Sequence, residues 1–189
     1  VSALEVVLAD GRIIRTGTRA RKSSAGYDLT GAFIGSEGTL GVITQLTVKL
    51  HGVPEAISAA SCAFASVADA VQAVVTTIQM GIPIARMELL DAGYIEALNV
   101  RFGLQLPDTP HLFLEFHGSD DSVREQAETV GTIVADCNGT NFFWKTRAED
   151  RNALWQARHG AYEAMGAVHP GRRSVVTDIC VPISHLPDM

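Results

Sequence analysis

Apolar residues beyond position 54 alternate between two spacings, and this alternation constrains the fold more than any other feature of the sequence. Strand-like runs with short, β-branched or aromatic stretches occupy residues 57–66, 84–90, 111–118, 140–145 and 174–182. Between them the helical i, i+3, i+4, i+7 spacing is present in segments near 67–78, 91–100, 120–134 and 148–165. Two successive strand–helix–strand units with short strands predict an α+β fold with a split βαβ, ferredoxin-like antiparallel sheet layered on helices.

The first part of the chain has a different pattern. Leu4, Val6 and Leu8 alternate up to Asp10-Gly11, which predicts a hairpin with a two-residue turn, since Asp-Gly supplies the positive φ angles of such a turn. A polar loop follows, and a second alternating strand runs from Gly41 to Leu50. Gly52 and Pro54 then interrupt the chain. We therefore predict two domains, residues 1–53 and 54–189.

Composition excludes several classes of protein. The formal charge of −6 over 189 residues gives no basic surface for nucleic acid. No apolar run is long enough for a membrane span, and no signal peptide is visible. The odd set of Cys62, Cys137 and Cys180 predicts neither a disulfide framework nor a zinc site, and favours a reducing compartment. The basic stretch 12–22 is either a solvated hairpin and loop or the rim of an anionic cofactor site.

The segment GSEGTLGVIT, residues 35–44, carries a glycine at every third position, at Gly35, Gly38 and Gly41. Such a backbone can bend sharply and present N–H groups to a phosphate or to the edge of a flavin. It does not match GxGxxG and does not open a helix, so a Rossmann site is not predicted. The spacing alone leaves two interpretations open, a ligand site and a plain glycine-rich turn before a strand.

The longer motif RKSSAGYDLTGAFIGSEGTLGVIT resembles the end of the FAD-binding domain in the vanillyl-alcohol-oxidase/PCMH superfamily, in the branch with D-lactate dehydrogenases and glycolate oxidase subunits. The resemblance implies that residues 1–53 are the C-terminal part of a PCMH-type FAD-binding domain and residues 54–189 an incomplete substrate-binding cap. It also implies FAD as cofactor. The residues it places along the flavin are Glu37, Gly38, Thr39, Leu40, Gly41, Val42 and Ile43, with Glu37 as a local hydrogen-bond acceptor rather than a catalytic acid.

A second candidate site is LWQARHGAYEAM, residues 154–165, where Trp155, Arg158 and Tyr162 share one face of a predicted helix. Arg158 either belongs to a core-facing helix and extends its charged end to solvent, or it binds a substrate carboxylate through two parallel hydrogen bonds. The pattern LWxxR resembles the cap helix of the same branch, which implies that Arg158 binds the carboxylate of a 2-hydroxy acid. Val176 stands two positions before Asp178, where the 2-hydroxyglutarate enzymes have lysine, and this departure favours D-lactate.

The histidines form no compact ligand set, and His117 and His159 are not predicted to bind a metal or act as a base. The resemblance places the catalytic histidine and a divalent metal such as Zn or Mn in a downstream segment similar to GDGNFH, which this chain lacks. We therefore predict no catalytic and no metal-binding residue within the chain. Val1 in place of an initiator methionine also leads us to expect an internal piece of a longer protein, inactive alone.

The resulting hypothesis is an FAD-dependent D-2-hydroxy-acid dehydrogenase, with D-lactate first among its substrates. It would be cytoplasmic in a bacterium or mitochondrial in a eukaryote. Glycolate and D-2-hydroxyglutarate dehydrogenases are alternatives within the class, and a non-catalytic α+β interaction module is the alternative outside it. An alkyl-dihydroxyacetone-phosphate-synthase-like transferase shares EGTLGVIT, but TDICVPIS disfavours it. The sequence does not identify the electron acceptor, and it leaves a homodimer open.

Overall fold

The computed structural model of the chain describes residues 1–20, 22–169, 171–172, 175–177 and 179–188. Contacts divide the chain into two compact units, Val1–Val53 and Pro54–Met189. Each unit has its own sheet. None of the helices in these described ranges is both long and apolar enough to cross a membrane.

The first unit is a three-stranded antiparallel sheet in the order β2-β1-β3 with one short helix. Its elements are β1 (Ala3–Val7), β2 (Ile13–Gly17), α1 (Leu29–Phe33) and β3 (Val42–Thr47). Leu4, Val6 and Phe33 form its small core. The edge strand β3 carries a bulge at Thr44, because Glu5 pairs with Gln45 whereas Val6 pairs with Ile43. The sequence analysis did not predict α1, which begins where the Asp28 carboxylate accepts a hydrogen bond from the Gly31 N–H at 2.9 Å.

The predicted two-residue hairpin turn is wrong. Leu8 N–H donates to the Arg12 carbonyl and Gly11 N–H to the Leu8 carbonyl, both at 2.9 Å, so three residues form the loop. Of the Asp10-Gly11 pair only Gly11 has a positive φ, of 82°. Asp10 instead accepts the Arg12 N–H at 3.1 Å, and this local bond favours the longer turn.

The second unit is a four-stranded antiparallel sheet in the order β5-β6-β4-β7. With helices after its first and third strands, this order is the ferredoxin-like split βαβ arrangement, as predicted. Its elements are β4 (Ala56–Ala63), α2 (Val67–Gln79), β5 (Ile84–Leu90), α3 (Ala92–Phe102), β6 (His111–Gly118), α4 (Asp120–Asp136), β7 (Thr140–Lys145), α5 (Ala148–His159) and α6 (Ala161–Val168), followed by a 3₁₀ helix (Ile183–Asp188).

Helices cover both faces of this sheet, and alternation along β6 sets the two cores. Leu112, Leu114 and Phe116 face α2 and α4, where they pack with residues such as Ala70 and Val130. Phe113 faces the other side and packs with α3, α5 and α6. The central strand β4 is almost entirely Ala, Ser and Cys where it is buried, which lets helices approach it closely.

Two other predictions about the second unit are wrong. The helix predicted over 148–165 is interrupted at Gly160, which separates α5 from α6. A Cβ at Gly160 would lie 2.5 Å from Phe102 Cζ, so the close approach of α3 requires glycine there. The strand predicted over 174–182 is also not formed in its described residues; Val175, Val176 and Ile179 are 69–81% exposed and have no strand partner among those residues. Ser174 and Asp178 lie outside the described residues.

Candidate functional site

The glycine segment before β3 forms a bend with an unusual backbone. Gly35, Glu37 and Gly38 have positive φ angles of 81°, 50° and 80°. Around Gly35 and Gly38 there is nothing within 4 Å of the place where a Cβ would lie. A non-glycine residue at positive φ is uncommon, so Glu37 indicates that the bend is tightly specified.

Hydrogen bonds at Ser36 and Thr39 hold this bend, since Ser36 N–H also donates to the Phe33 carbonyl at 3.2 Å. Thr39 donates to the Ser36 carbonyl twice, from its N–H at 2.9 Å and from its hydroxyl at 2.6 Å. In the described residues, the N–H groups of Glu37, Gly38 and Leu40 have no backbone acceptor. Free N–H donors beside open space fit an electron-rich ligand such as a flavin edge. The Glu37 carboxylate makes no hydrogen bond within the same residues, so its predicted role as a local acceptor is not seen.

The last three positions of the predicted cofactor segment differ from this bend. A Cβ at Gly41 would lie 2.7 Å from Val6 Cγ1 and 2.8 Å from the Val7 carbonyl oxygen, so this glycine admits strand β1. Val42 and Ile43 belong to β3 and pair with Val7 and Val6. Gly41, where packing requires glycine, therefore lies three positions after Gly38 and six after Gly35, which leave open space.

Two arginines of the basic stretch 12–22 pair with acids of the hairpin itself. Arg12 pairs with Asp10 at 2.6 Å and Arg15 with Glu5 at 2.9 Å. The hydrogen bond from Arg15 lowers the pKa of Glu5, and the Arg12 N–H lowers the pKa of Asp10. These pairs agree with a solvated hairpin rather than with an anion site. Arg21 lies outside the described residues.

In the second unit, α5 places Arg158 over the outer edge of the sheet. The Nη2 atom of Arg158 pairs with Oε2 of Glu88 on β5, and the two side chains are 33% and 32% exposed. Trp155, one turn earlier on α5, is buried in the core beside α3 and α6. Tyr162, predicted to continue this face, instead lies on α6 and is exposed, because the helix breaks at Gly160.

A second charged group lies beside this pair. Arg86, two residues before Glu88 on β5, has its Cζ 4.8 Å from the centre of the Trp155 ring. Its Nε lies 3.8 Å from Oε1 of the buried Glu115 on β6, and the same oxygen is 2.8 Å from His117 Nε2. His117 thus has Glu115 as a structural partner. The ring of His159 is tilted against that of Trp155, with 6.4 Å between the ring centres.

The sequence analysis missed Arg86, Glu88 and Glu115. The sequence does carry a pattern that could have identified them. Polar residues stand two apart at 86 and 88 on β5 and at 115 and 117 on β6, so they share one face of these adjacent strands. Polar residues that repeat on one face of two core strands indicate a polar site on that face.

The described part of the chain contains free thiols but no cluster of metal ligands. No group of three His, Cys, Asp or Glu residues there is arranged to hold a metal ion. The three cysteines are free, and burial raises the pKa of Cys62 to about 12, which keeps this thiol protonated.

The second unit has a ferredoxin-like antiparallel sheet with a polar face around Arg158. Residues 53–189 match the family described as FAD linked oxidases, C-terminal domain. The chain belongs to that family, whose name implies FAD as the cofactor.

Named relatives extend the comparison to the whole chain. It is 50% identical over 189 residues to the probable mitochondrial D-lactate dehydrogenase of Danio rerio. The alignment covers 98% of this chain and 38% of that protein. It is 43% identical over 189 residues to the mitochondrial D-lactate dehydrogenase [cytochrome] of Arabidopsis thaliana, covering 100% of this chain and 33% of that protein. The chain thus spans little more than a third of the length of these relatives.

Solved structures support the fold. The structure of p-cresol methylhydroxylase with bound substrate aligns with a TM-score of 0.58 at 17% identity, over 85% of this chain and 36% of that one. The α+β class with antiparallel sheets and the PCMH-type resemblance are both confirmed.

Proposed function

We propose that the full-length protein is an FAD-dependent D-2-hydroxy-acid dehydrogenase that oxidises D-lactate to the 2-oxo acid. The observation that carries the proposal is the similarity to D-lactate dehydrogenases from an animal and a plant across essentially the whole chain. The open polar face around Arg158 supports it, because a small carboxylate needs a partly exposed cation on a rigid element. Glycolate and D-2-hydroxyglutarate are the alternative substrates.

In this proposal the two units have different roles. Residues 1–53 form the last part of the FAD-binding domain, and residues 54–189 form the first part of the cap that covers the substrate. The family match from residue 53 onward supports the second assignment. The glycine bend supports the first.

The bend would hold the flavin through Glu37, Gly38, Thr39 and Leu40, with Gly41, Val42 and Ile43 fixing the bend to β1. The free N–H groups and the open space at Gly38 fit such a ligand. When bound, FAD supplies the acceptor for the hydride that leaves C2 of the substrate. This chain's own contribution is to shape the bend and to present main-chain donors.

Arg158 would bind the substrate carboxylate. A guanidinium offers two parallel N–H donors that match the two oxygens of a carboxylate, which fixes the orientation of C2 as well as the affinity. Other parts of the full-length protein would complete the site, including a histidine base and a divalent metal such as Zn or Mn.

The remaining properties follow from the relatives' names and stay proposals. Two of the similar proteins are named for a cytochrome acceptor and for mitochondria. We propose a cytochrome as electron acceptor, and a mitochondrial location if the source is eukaryotic or a cytoplasmic one if it is bacterial. A homodimer is the assembly to test first.

Replacement of Arg158 tests the proposal in the full-length protein. Arg158→Ala should lower kcat/KM for D-lactate by the equivalent of about 2–4 kcal/mol, mainly through KM, because a charge-assisted bidentate pair is lost. Steady-state kinetics with D-lactate, glycolate and D-2-hydroxyglutarate would measure this.

Arg158→Lys is the matched control, since it keeps the positive charge but loses the pair of parallel N–H donors. Its kcat/KM for D-lactate should lie between those of wild type and Arg158→Ala. An unchanged kcat/KM for D-lactate in Arg158→Ala would remove this arginine from the site. Failure of the wild-type protein to oxidise any of the three acids would refute the proposed activity.

A further inference from the structure

The guanidinium of Arg158 is held on one edge and open on the other. Its Nη2 is paired with Glu88, and its Nε is buried with no hydrogen-bond acceptor in the described residues. A carboxylate can bind an arginine either through the Nε/Nη2 edge or through the two Nη atoms. Because Nε is inaccessible, only the Nη1/Nη2 edge is left for a ligand.

Glu88 is well placed to fix this orientation. It lies in the middle of β5, opposite Phe113 of β6, and its neighbours Met87 and Leu89 pack into the core on the other face of the sheet. The backbone of Glu88 is fixed by these core contacts, so its carboxylate stays close to one position. Pairing with it limits the rotamers of Arg158 before a ligand binds.

The other cation on this face is already engaged on both sides. Arg86 packs over the Trp155 ring and lies beside the buried Glu115, which also contacts His117. The Arg86 side chain is 47% exposed and that of Arg158 33%, but the Arg86 guanidinium already lies over the Trp155 ring. Glu88 and Glu115 balance the charges of Arg86 and Arg158, so a bound carboxylate would add one net negative charge to this face.

We propose that Glu88 is a positioning residue for substrate binding: it holds Arg158 so that the Nη1/Nη2 edge meets the carboxylate of the 2-hydroxy acid. The inference rests on the role proposed above for Arg158. Glu88 also repels the substrate carboxylate by its negative charge. The gain from orienting the Arg158 guanidinium outweighs this repulsion.

A double-mutant cycle in the full-length protein tests the inference. Glu88→Ala should raise KM for D-lactate about tenfold with kcat changed less than about twofold, since only the carboxylate contact is misplaced. Glu88→Gln keeps an oxygen acceptor for Nη2 and should stay within about threefold of wild type. In the Arg158→Ala background, Glu88→Ala should change KM less than about twofold, because residues that act through one contact are not additive.

Inhibition by propionate, which has the carboxylate but no hydroxyl, gives a readout independent of hydride transfer. Its inhibition constant should rise by the same factor as KM in Glu88→Ala. Glu125→Ala on the exposed face of α4 is the matched control and should leave both quantities unchanged.

The outcomes separate the two proposals. Equal effects of Glu88→Ala in both backgrounds, an effect no larger than that of Glu125→Ala, or a lower KM in Glu88→Ala would overturn the positioning role alone. If Glu88→Ala does not fold, a tenfold rise in Glu88→Gln would overturn it as well. An unchanged KM in Arg158→Ala refutes the proposed role of Arg158 and, with it, that of Glu88.

Discussion

Two glycines in the bend before β3 differ in what surrounds them. Gly38 has a φ of 80° and open space where a Cβ would be. Gly41 is in contact with the backbone of β1. The first is needed for its conformation and for the space beside it, and the second is needed for packing within the unit.

We therefore expect different results from two alanine variants of the full-length protein. Gly41→Ala should lower the free energy of unfolding by about 1–3 kcal/mol, because the Val7 carbonyl oxygen cannot move aside. Gly38→Ala should cost about 1–2 kcal/mol of left-handed strain and in addition weaken FAD binding, because its methyl group occupies the space proposed for the flavin. Denaturant titration and FAD titration of the apoprotein measure the two effects.

Gly52→Ala is the control for this pair, since Gly52 has no positive φ and no atom within 4 Å of its Cβ position. FAD affinity in Gly38→Ala equal to that in Gly52→Ala would argue against a flavin at the bend.

His111, the first residue of β6, makes stability depend on pH. It is 2% exposed, and its Nδ1 lies 2.7 Å from the Thr109 carbonyl oxygen, to which it donates. Burial lowers the pKa of His111 from its ordinary value of 6.5, and the hydrogen bond to Thr109 opposes this only in part. Below pH 6.5 the unfolded chain therefore binds more protons at this position than the folded chain does.

The free energy of unfolding should accordingly fall as the pH decreases through about 6.5 toward the folded pKa. Urea midpoints at pH 7.5 and 5.5 would measure the decline, and His111→Asn, which keeps a donor near the position of Nδ1, should reduce it. His185→Asn, at an exposed position, should keep the wild-type decline. If stability falls equally between pH 7.5 and 5.5 in His111→Asn and in wild type, His111 is not the source of the pH dependence.

At the scale of elements, local signals decided which predictions succeeded. The bounds of β5, β6 and β7 were predicted correctly, because each has a short β-rich pattern with clear breaks on both sides. Asp91 and Ser119, residue types that favour helix starts, cap α3 and α4 by accepting the N–H groups of Tyr94 and Ser122.

The failures came from contacts between distant segments. Gly160 follows Arg158 and His159, which is a local signal for the end of a helix, but the ring of Phe102 beside it comes from a distant segment. The segment around Val175 has the composition of a strand, but a strand requires a partner with a free edge. Arg158 was predicted from its helix, whereas its pairing with Glu88 required the packing of α5 on β5.

At the scale of the whole molecule, the first unit has a small core and exposes several large apolar side chains. Val42, Leu46 and Leu50 are 64%, 57% and 84% exposed, on or just after the edge strand β3. An apolar edge strand with unpaired backbone groups readily pairs with another chain.

We expect the 189-residue polypeptide, expressed alone, to self-associate at micromolar concentrations. Leu46→Lys should reduce this association, since a lysine on an edge strand disfavours pairing. Ile78→Lys, which places the same charge on the exposed side of α2, should not. Sedimentation velocity over a range of concentrations would compare them, and a monomeric wild-type polypeptide would contradict the prediction.

The central position of β4 has a consequence for how the second unit is made in the cell. Ala59 pairs with Glu115 on one side and with Lys145 on the other. During synthesis, β4 therefore leaves the ribosome long before either neighbour exists, and its small side chains bury little surface meanwhile. The sheet is complete only once residue 145 has emerged, so among its strands β4 waits longest for a partner.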